Sequence, residues 1–211
     1  TGRVLHTLNI RLFPEQLTYI VNHADDEVIF VDRSILALLA PLLPTFTNLR
    51  HLVLMDDGKG DIPADLAGHT LLNYEDLLAA EEPIGFPEIA DEHQAASMCY
   101  TSGTTGNPKG VVYSHRSTFM HTMGAIMVDS LAACESDVIL PVVPMFHANA
   151  WGLAHAAVAT GASLIMPGAD LSGPALADLI VEQRVTVAAG VPTIWMAVLP
   201  ELKGRDTSSL R

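Results

Sequence analysis

Short apolar runs alternate with helix-length segments through the second half of the sequence, and that rhythm leaves few folds open. Residues 138–143, 163–166 and 185–189 read as strands, separated by helical stretches near 150–160 and 174–183. Strand, helix and strand in succession is the pattern of a parallel sheet with crossover helices. Pro192 opens one more helix carrying Ile194 and Trp195. The first half has the same character. Pro14 and Glu15 suit a first helical turn, with Leu17, Ile20, Val21 and Ala24 on one face. A short strand follows at 28–31, then a helix capped by Ser34 and carrying Ile35, Leu36, Leu38, Leu39, Leu42 and Leu43. Another apolar run at 51–55 precedes the turn chemistry of Asp57-Gly58, and Asn73 followed by Glu75 and Asp76 starts a further helix. The chain is α/β in class, with no strict internal repeat.

Residues 81–96 turn acidic, carry Pro83, Gly85 and Pro87, and lose all periodicity. They divide an α/β part at 1–80 from a second at 97–211. The second opens with the loop described below, followed by a helix over 115–131 with Phe119, Thr122, Met123, Ile126 and Met127 on one face. Trp195 and the pair Met123 and Met127 are expected in the core. With 211 residues, 49% of them hydrophobic, the chain can bury a sizeable core. Eleven Lys and Arg against 24 Asp and Glu give a formal net charge of −13, which argues against nucleic acid as a partner. The acidic residues are dispersed and expected on a solvated surface. Cys99 and Cys134 are too few for a disulfide framework or a metal cluster and read as reduced thiols in a cytoplasmic protein. The most apolar stretch, 148–169, is broken by Asn149, His155, Gly161, Ser163 and Pro167, which suits a buried helix and strand better than a membrane span. The chain opens Thr1-Gly2-Arg3 and closes Ser208-Ser209-Leu210-Arg211, and reads as an internal fragment.

The chemistry is concentrated in Tyr100-Thr-Ser-Gly-Thr-Thr-Gly-Asn-Pro-Lys-Gly110. Glycines let backbone N–H groups close around phosphate oxygens, hydroxyls add neutral donors or a magnesium contact, and Lys109 adds a mobile positive charge. The ligand such a loop suits is a polyphosphate. It is not the P-loop of NTPases, because Lys109 follows Pro108 and precedes Gly110 instead of standing in Gly-Lys-Ser/Thr at a helix start. Val111, Val112 and Tyr113 read as a strand, so the loop joins two strands as a hairpin. Which of Thr101, Ser102, Thr104 and Thr105 bind phosphate and which hold the loop stays open. No Gly-x-Ser-x-Gly elbow and no His-Glu-x-x-His site occurs. His115 and His121 differ by six residues and fall on different helix faces, which argues against a shared metal site, and His155 gains no role from spacing.

The Tyr100–Gly110 loop resembles the phosphate-binding signature of the adenylate-forming superfamily of acyl-CoA synthetases, luciferases and peptide-synthetase adenylation domains. Asn9-Ile10-Arg11-Leu12, Tyr19-Ile20-Val21-Asn22-His23, Pro144-Met145-Phe146-His147 and Gly190-Val191-Pro192-Thr193 look like family segments in family order. The run Pro144-Met145-Phe146-His147-Ala148-Asn149-Ala150-Trp151 is most similar to medium- and long-chain fatty acyl-CoA synthetases. The resemblance implies a fragment of the large N-terminal domain of such an enzyme, expected to be inactive alone. Its magnesium acid, ribose aspartate, hinge and mobile C-terminal domain with a catalytic lysine are expected beyond Arg211.

The same resemblance implies ATP, Mg2+ and coenzyme A as co-substrates of a fatty acid. Thr101, Ser102, Gly103, Thr104, Thr105, Gly106 and Lys109 would then bind the nucleotide phosphates, with Thr101 on magnesium and Lys109 on the β- and γ-phosphates. His147 becomes a ligand-facing catalytic candidate, and Ala148 lies beside it. Trp151 becomes a gate between nucleotide and acyl tunnel, and Gly190 and Val191 line the substrate. Family members of this kind are often homodimers, and peripheral membrane contact stays open. Two other readings are an aryl-acid or amino-acid adenylating enzyme and a non-catalytic nucleotide- or acyl-binding module.

Overall fold

A computed structural model describes residues 2–101 and 106–211. In chain order the first elements are β1 (Leu5–His6), α1 (Pro14–His23), β2 (Val28–Asp32), α2 (Arg33–Leu39), β3 (His51–Met55), β4 (Leu71–Asn73) and α3 (Tyr74–Ala79). They continue as β5 (Ala95–Thr101), β6 (Lys109–Ser114), α4 (His115–Ile126), β7 (Val138–Pro141), α5 (Ala148–Trp151) and α6 (Leu153–Thr160). The last are β8 (Ser163–Leu164), α7 (Gly173–Glu182), β9 (Val187–Ala189) and α8 (Pro192–Leu202). They fall into two compact units that interleave in sequence. One holds residues 8–90 and 100–111, the other 2–7, 91–99 and 112–211. Among the described residues no helix is long and apolar enough to cross a membrane.

The first unit is built on a parallel sheet in the order β2-β3-β4. Central β3 buries Leu52, Val53 and Leu54 in succession, as a parallel strand covered on both faces must. From α1, Leu17, Ile20 and Val21 join the same core. Asn73 caps α3, its Oδ1 accepting the N–H groups of Glu75 and Asp76 at 2.9 and 3.2 Å. The second helix departs from expectation. Its N-cap is Asp32 and not Ser34, and it stops at Leu39. Leu42 and Leu43 lie in a 3-10 segment, Ala40–Thr45, because Pro41 and Pro44 cannot donate to an α-helical ladder.

The second unit centres on a parallel sheet in the order β8-β7-β9. Consecutive Ile139 and Leu140 of β7 are both fully buried, and alternation sends them to opposite faces. Ile139 packs with Leu153 and Ala157 of α6, Leu140 with Leu176 and Ile180 of α7 and Val198 of α8. Gly173 lets α7 approach α8, since a Cβ there would strike the Ala197 carbonyl. The strands are shorter than the apolar runs. Residues 142, 143, 165, 166, 185 and 186 fall outside them, although Val142 and Val143 both donate N–H bonds to the Ala189 carbonyl, at 2.8 and 3.2 Å.

A third sheet runs in the order β1-β5-β6, with β1 parallel to β5 and Leu5 opposite Ser97. β5 begins at Ala95, inside the segment expected as a linker. The helix expected over 115–131 ends at Ile126, because Met127 turns extended at φ −64° and ψ 148°. Its buried positions are Thr122 and Ala125, while Phe119, Met123 and Met127 are exposed. The two methionines are therefore not core. Small side chains are what let a helix lie close to its neighbour, here α6.

Asp137 also departs from the expected solvated surface. It is 3% exposed just before β7. Its carboxylate accepts Thr186 Oγ1 and Arg211 Nε at 2.8 Å, the Cys134 N–H at 2.8 Å and Arg211 Nη2 at 2.5 Å. The Arg211 guanidinium holds the Asp137 carboxyl well below its ordinary 3.8, with Thr186 and Cys134 adding to the shift against a smaller opposing effect of burial. A depressed folded-state value means stability that is present above pH 3.8 and lost as pH falls below it. Asp137→Asn should cost about 2–3 kcal/mol at pH 7 in urea unfolding, less than for a fully enclosed pair because Arg211 is partly exposed. The difference from the parent should shrink as pH drops below 3.8, and a gap that holds constant with pH would refute the assignment.

Candidate functional site

In the first unit, Thr101 ends β5 and Lys109 begins β6, and both are exposed. Thr101 Oγ1 donates to the Lys109 carbonyl at 3.4 Å, which ties the two edges of the loop. Gly106 stands at φ +88° with open space around the position of a Cβ, so the turn needs glycine for its backbone alone. Ser102, Gly103, Thr104 and Thr105 lie outside the described residues. The approach to the loop is anchored at Tyr100, whose hydroxyl is hydrogen-bonded to His23 Nδ1 at 2.7 Å. Burial pushes the Tyr100 phenol up, so it stays protonated. His23 in turn stacks on Tyr19, with ring centroids 5.1 Å apart. An exposed threonine and an exposed lysine at the two edges of one loop suit an anionic, oxygen-rich ligand.

In the second unit, two candidate segments leave the sheet at one end. Pro141 and Ala189 are paired in register at the last positions of β7 and β9. His147 and the turn after it follow β7, and Gly190 and Val191 follow β9. The carboxyl ends of parallel strands are where open α/β sheets bind ligands. Gly190 carries more than a turn, since its carbonyl accepts the Trp195 Nε1–H at 2.9 Å and a Cβ would stand 3.2 Å from Trp195 Cζ2. Trp195 thus packs, partly buried, on the core and fixes the segment that bears Gly190 and Val191.

His147 is exposed, donates its N–H to the Pro144 carbonyl at 3.0 Å and precedes an unusual turn. Ala148, Asn149, Ala150 and Trp151 follow one another at φ 47°, 49°, 53° and 56°, and Gly152 at 73°. α5 is therefore a left-handed turn. Each of its four non-glycine residues costs roughly 1–2 kcal/mol in that region. Asn149 is buried and accepts Ser97 Oγ at 3.0 Å, and Ala150 is buried beside it. Trp151 remains 39% exposed. A cleft of about 270 Å³ opens next to the turn, lined by Tyr113, Thr118, His121, Ala148, Asn149 and His155 among others. Burial pushes the His155 imidazole below its ordinary 6.5, and neighbouring His121 adds to the shift, so His155 is neutral at pH 7.

The structure thus joins Thr101, Gly106 and Lys109 in one unit, and His147, Ala148 and Trp151 on one turn of the other. His121, Asn149, Gly152 and His155 escape sequence reasoning. No spacing marks the histidines, and only Gly152 hints at a left-handed position. Among the described residues no group of three or more His, Cys, Asp or Glu could hold a metal ion. Gly152→Ala should destabilise the protein by about 2 kcal/mol in urea unfolding, because the new Cβ meets His121 Cδ2 at 2.5 Å on a left-handed backbone. Unchanged stability would mean that the His121 ring is not seated there.

Over residues 1–211 the sequence matches the family described as AMP-binding enzyme. It is 47% identical over 209 residues to the 3-methylmercaptopropionyl-CoA ligase of Ruegeria pomeroyi, covering 98% of this chain and 38% of that protein. It is 44% identical over 209 residues to the medium-chain-fatty-acid–CoA ligase of Ectopseudomonas oleovorans, covering 99% and 38%. In fold it is similar to the red emitting luciferase of Phrixothrix hirtus, at a TM-score of 0.80 and 20% identity, over 99% of this chain and 51% of that one. The chain spans 38% of the length of these two curated relatives. With the family matched from end to end and two relatives far above 30% identity, the chain belongs to the AMP-binding enzyme family.

Proposed function

We propose that this chain is the phosphate- and acid-binding part of an AMP-forming acid–CoA ligase whose acid is a fatty acid. The observation that carries the reading is the near-complete match of the chain to two acid–CoA ligases in one AMP-binding family. The exposed pair of Thr101 and Lys109 at the loop edges supports it.

In the first half-reaction a carboxylate oxygen attacks the α-phosphorus of ATP. The P–O bond to the β-phosphate breaks, and pyrophosphate leaves with the electron pair. In the second, the sulfur of coenzyme A attacks the acyl carbon, the C–O bond to AMP breaks, and the thiol proton is released. A carboxylate alone is a poor acyl donor because its leaving group would be oxide, and adenylation replaces it with AMP.

The obstacle in the first step is anion against anion, so the protein must neutralise phosphate charge and hold the two groups in line. Lys109 supplies the mobile charge at the β- and γ-phosphates. Ser102, Gly103, Thr104, Thr105 and Gly106 supply neutral donors. Magnesium accompanying ATP would neutralise phosphate oxygens, and Thr101, whose exposed hydroxyl makes a long 3.4 Å bond, suits a hard oxygen-seeking cation. His147, Ala148, Gly190 and Val191 stand at the strand ends to meet the nucleotide and the acid, and Trp151 faces the acyl group as a gate.

ATP–pyrophosphate exchange on the full-length protein tests the reading, with medium-chain, long-chain and aromatic acids offered in parallel. Exchange with alkyl acids and not with aromatic ones is expected. Exchange driven by aromatic acids would favour the aryl-acid reading, and ATP binding without exchange the non-catalytic one. Lys109→Ala should slow exchange by about 10²–10³-fold while leaving thioester formation from preformed acyl-adenylate less affected. An unchanged exchange rate would remove Lys109 from the phosphates. Trp151→Ala should shift the acyl-length preference in the same assay, and an unaltered preference with unaltered acid affinity would make Trp151 a packing residue only.

A further inference from the structure

The left-handed turn from Ala148 to Gly152 is not the choice of its own residues. Alanine and tryptophan have no use for positive φ, and Ala148-Asn149-Ala150-Trp151 stands directly before α6, where it could extend a right-handed helix. Partners outside the turn must hold it, and two side chains do.

From β5, Ser97 Oγ donates to Asn149 Oδ1 at 3.0 Å, and both residues are buried. This bond fixes the second residue of the turn to the sheet. From α4, His121 Nε2 lies 3.0 Å from the Trp151 carbonyl oxygen. A carbonyl only accepts, so the imidazole carries a proton on Nε2 and donates it. The same ring lies against Gly152, so close that a Cβ there would stand 2.5 Å from Cδ2 and 2.8 Å from Nε2. One side chain therefore grips the peptide after Trp151 from two directions, by a hydrogen bond to its oxygen and by contact with the residue that follows.

The turn divides its residues unequally. Asn149 and Ala150 go inward, 4% and 1% exposed, while Trp151 stands outward at 39%. An indole in that position is an unusual expense for packing alone. The core of α6 rests on Leu153, Ala156 and Ala157, which are buried without help from Trp151.

We propose that His121 is the positioning residue for Trp151: by holding the Trp151 carbonyl and packing on Gly152, it keeps the turn left-handed and sets where the indole stands. The consequence for catalysis rests on the reading of Trp151 as the residue that faces the acyl group. The hold itself does not.

Two readouts separate these statements. The full-length protein labelled with 5-fluorotryptophan gives a ¹⁹F resonance for Trp151, assigned by its loss in Trp151→Phe. His121→Ala should move that resonance and leave the one from Trp195 in place. It should raise KM for the carboxylic acid about tenfold while KM for ATP and kcat stay within about twofold. His121→Gln, whose amide N–H can reach the same carbonyl, should recover most of both effects. His121→Phe, which keeps a ring on Gly152 but has no donor, should behave like the alanine variant. A Trp151 resonance unchanged in His121→Ala overturns the proposal. If the alanine variant does not fold, the Phe and Gln variants decide. A moved resonance in Phe and a parental one in Gln uphold the hold, and parental resonances in both overturn it. A moved resonance with an unchanged acid KM upholds the hold by His121 and instead overturns the gate reading of Trp151.

Discussion

Burial of β7 on both faces is the constraint from which the second unit follows. Ile139 and Leu140 are adjacent and both wholly enclosed, so the strand demands a helix layer on each side. α6 supplies one, and α7 with α8 the other. Once β7 is central and parallel to β8 and β9, the chain must leave β7 and β9 at the same end. The segments beginning at Val142 and Gly190 are thereby brought side by side, and the two N–H bonds from Val142 and Val143 to the Ala189 carbonyl lock them. A buried apolar pair thus decides where the candidate ligand-facing residues stand, although none of those residues takes part in the decision.

The turn that follows β7 carries backbone strain. Four successive non-glycine residues at positive φ cost several kcal/mol together, comparable to the whole net stability of many domains. Such a turn persists only where packing and hydrogen bonds over-determine it. Ser97 of β5 and His121 of α4, both distant from the turn in sequence, converge on it, and His121 also packs on its closing Gly152. Ser97 is placed by the sheet and His121 by a helix, so the two holds come from different elements.

The same separation limits what the sequence reveals. The parallel α/β class, the Pro14 and Asn73 helix starts and the short central strands were legible because periodicity and capping act over a few residues. That the loop joins two neighbouring strands, β5 ending at Thr101 and β6 beginning at Lys109, was legible for the same reason. The stop of α2 at Leu39 was in principle readable from Pro41 and Pro44, but a continuous apolar pattern outweighed them. For α4 the large side chains suggested the wrong inner face, because Thr122 and Ala125 are chosen for closeness and not for hydrophobic area. Nothing local marks Asp137 as buried, since its partners Thr186 and Arg211 are brought to it only by the fold. The left-handed turn is invisible for the same reason. Its first four residues are compatible with an ordinary helix, and the two side chains that hold it, Ser97 and His121, are distant in sequence.

The loop of the first unit and the cleft of the second differ in their electrostatics. A chain of net charge −13 does not attract a polyphosphate by its overall field, so attraction has to be local, and Lys109 with its neighbouring donors concentrates it at one loop. Among the described residues, the cleft beside the turn carries no lysine or arginine in its lining, which includes Tyr113, Thr118, His121, Asn149 and a His155 whose imidazole burial pushes below its ordinary value.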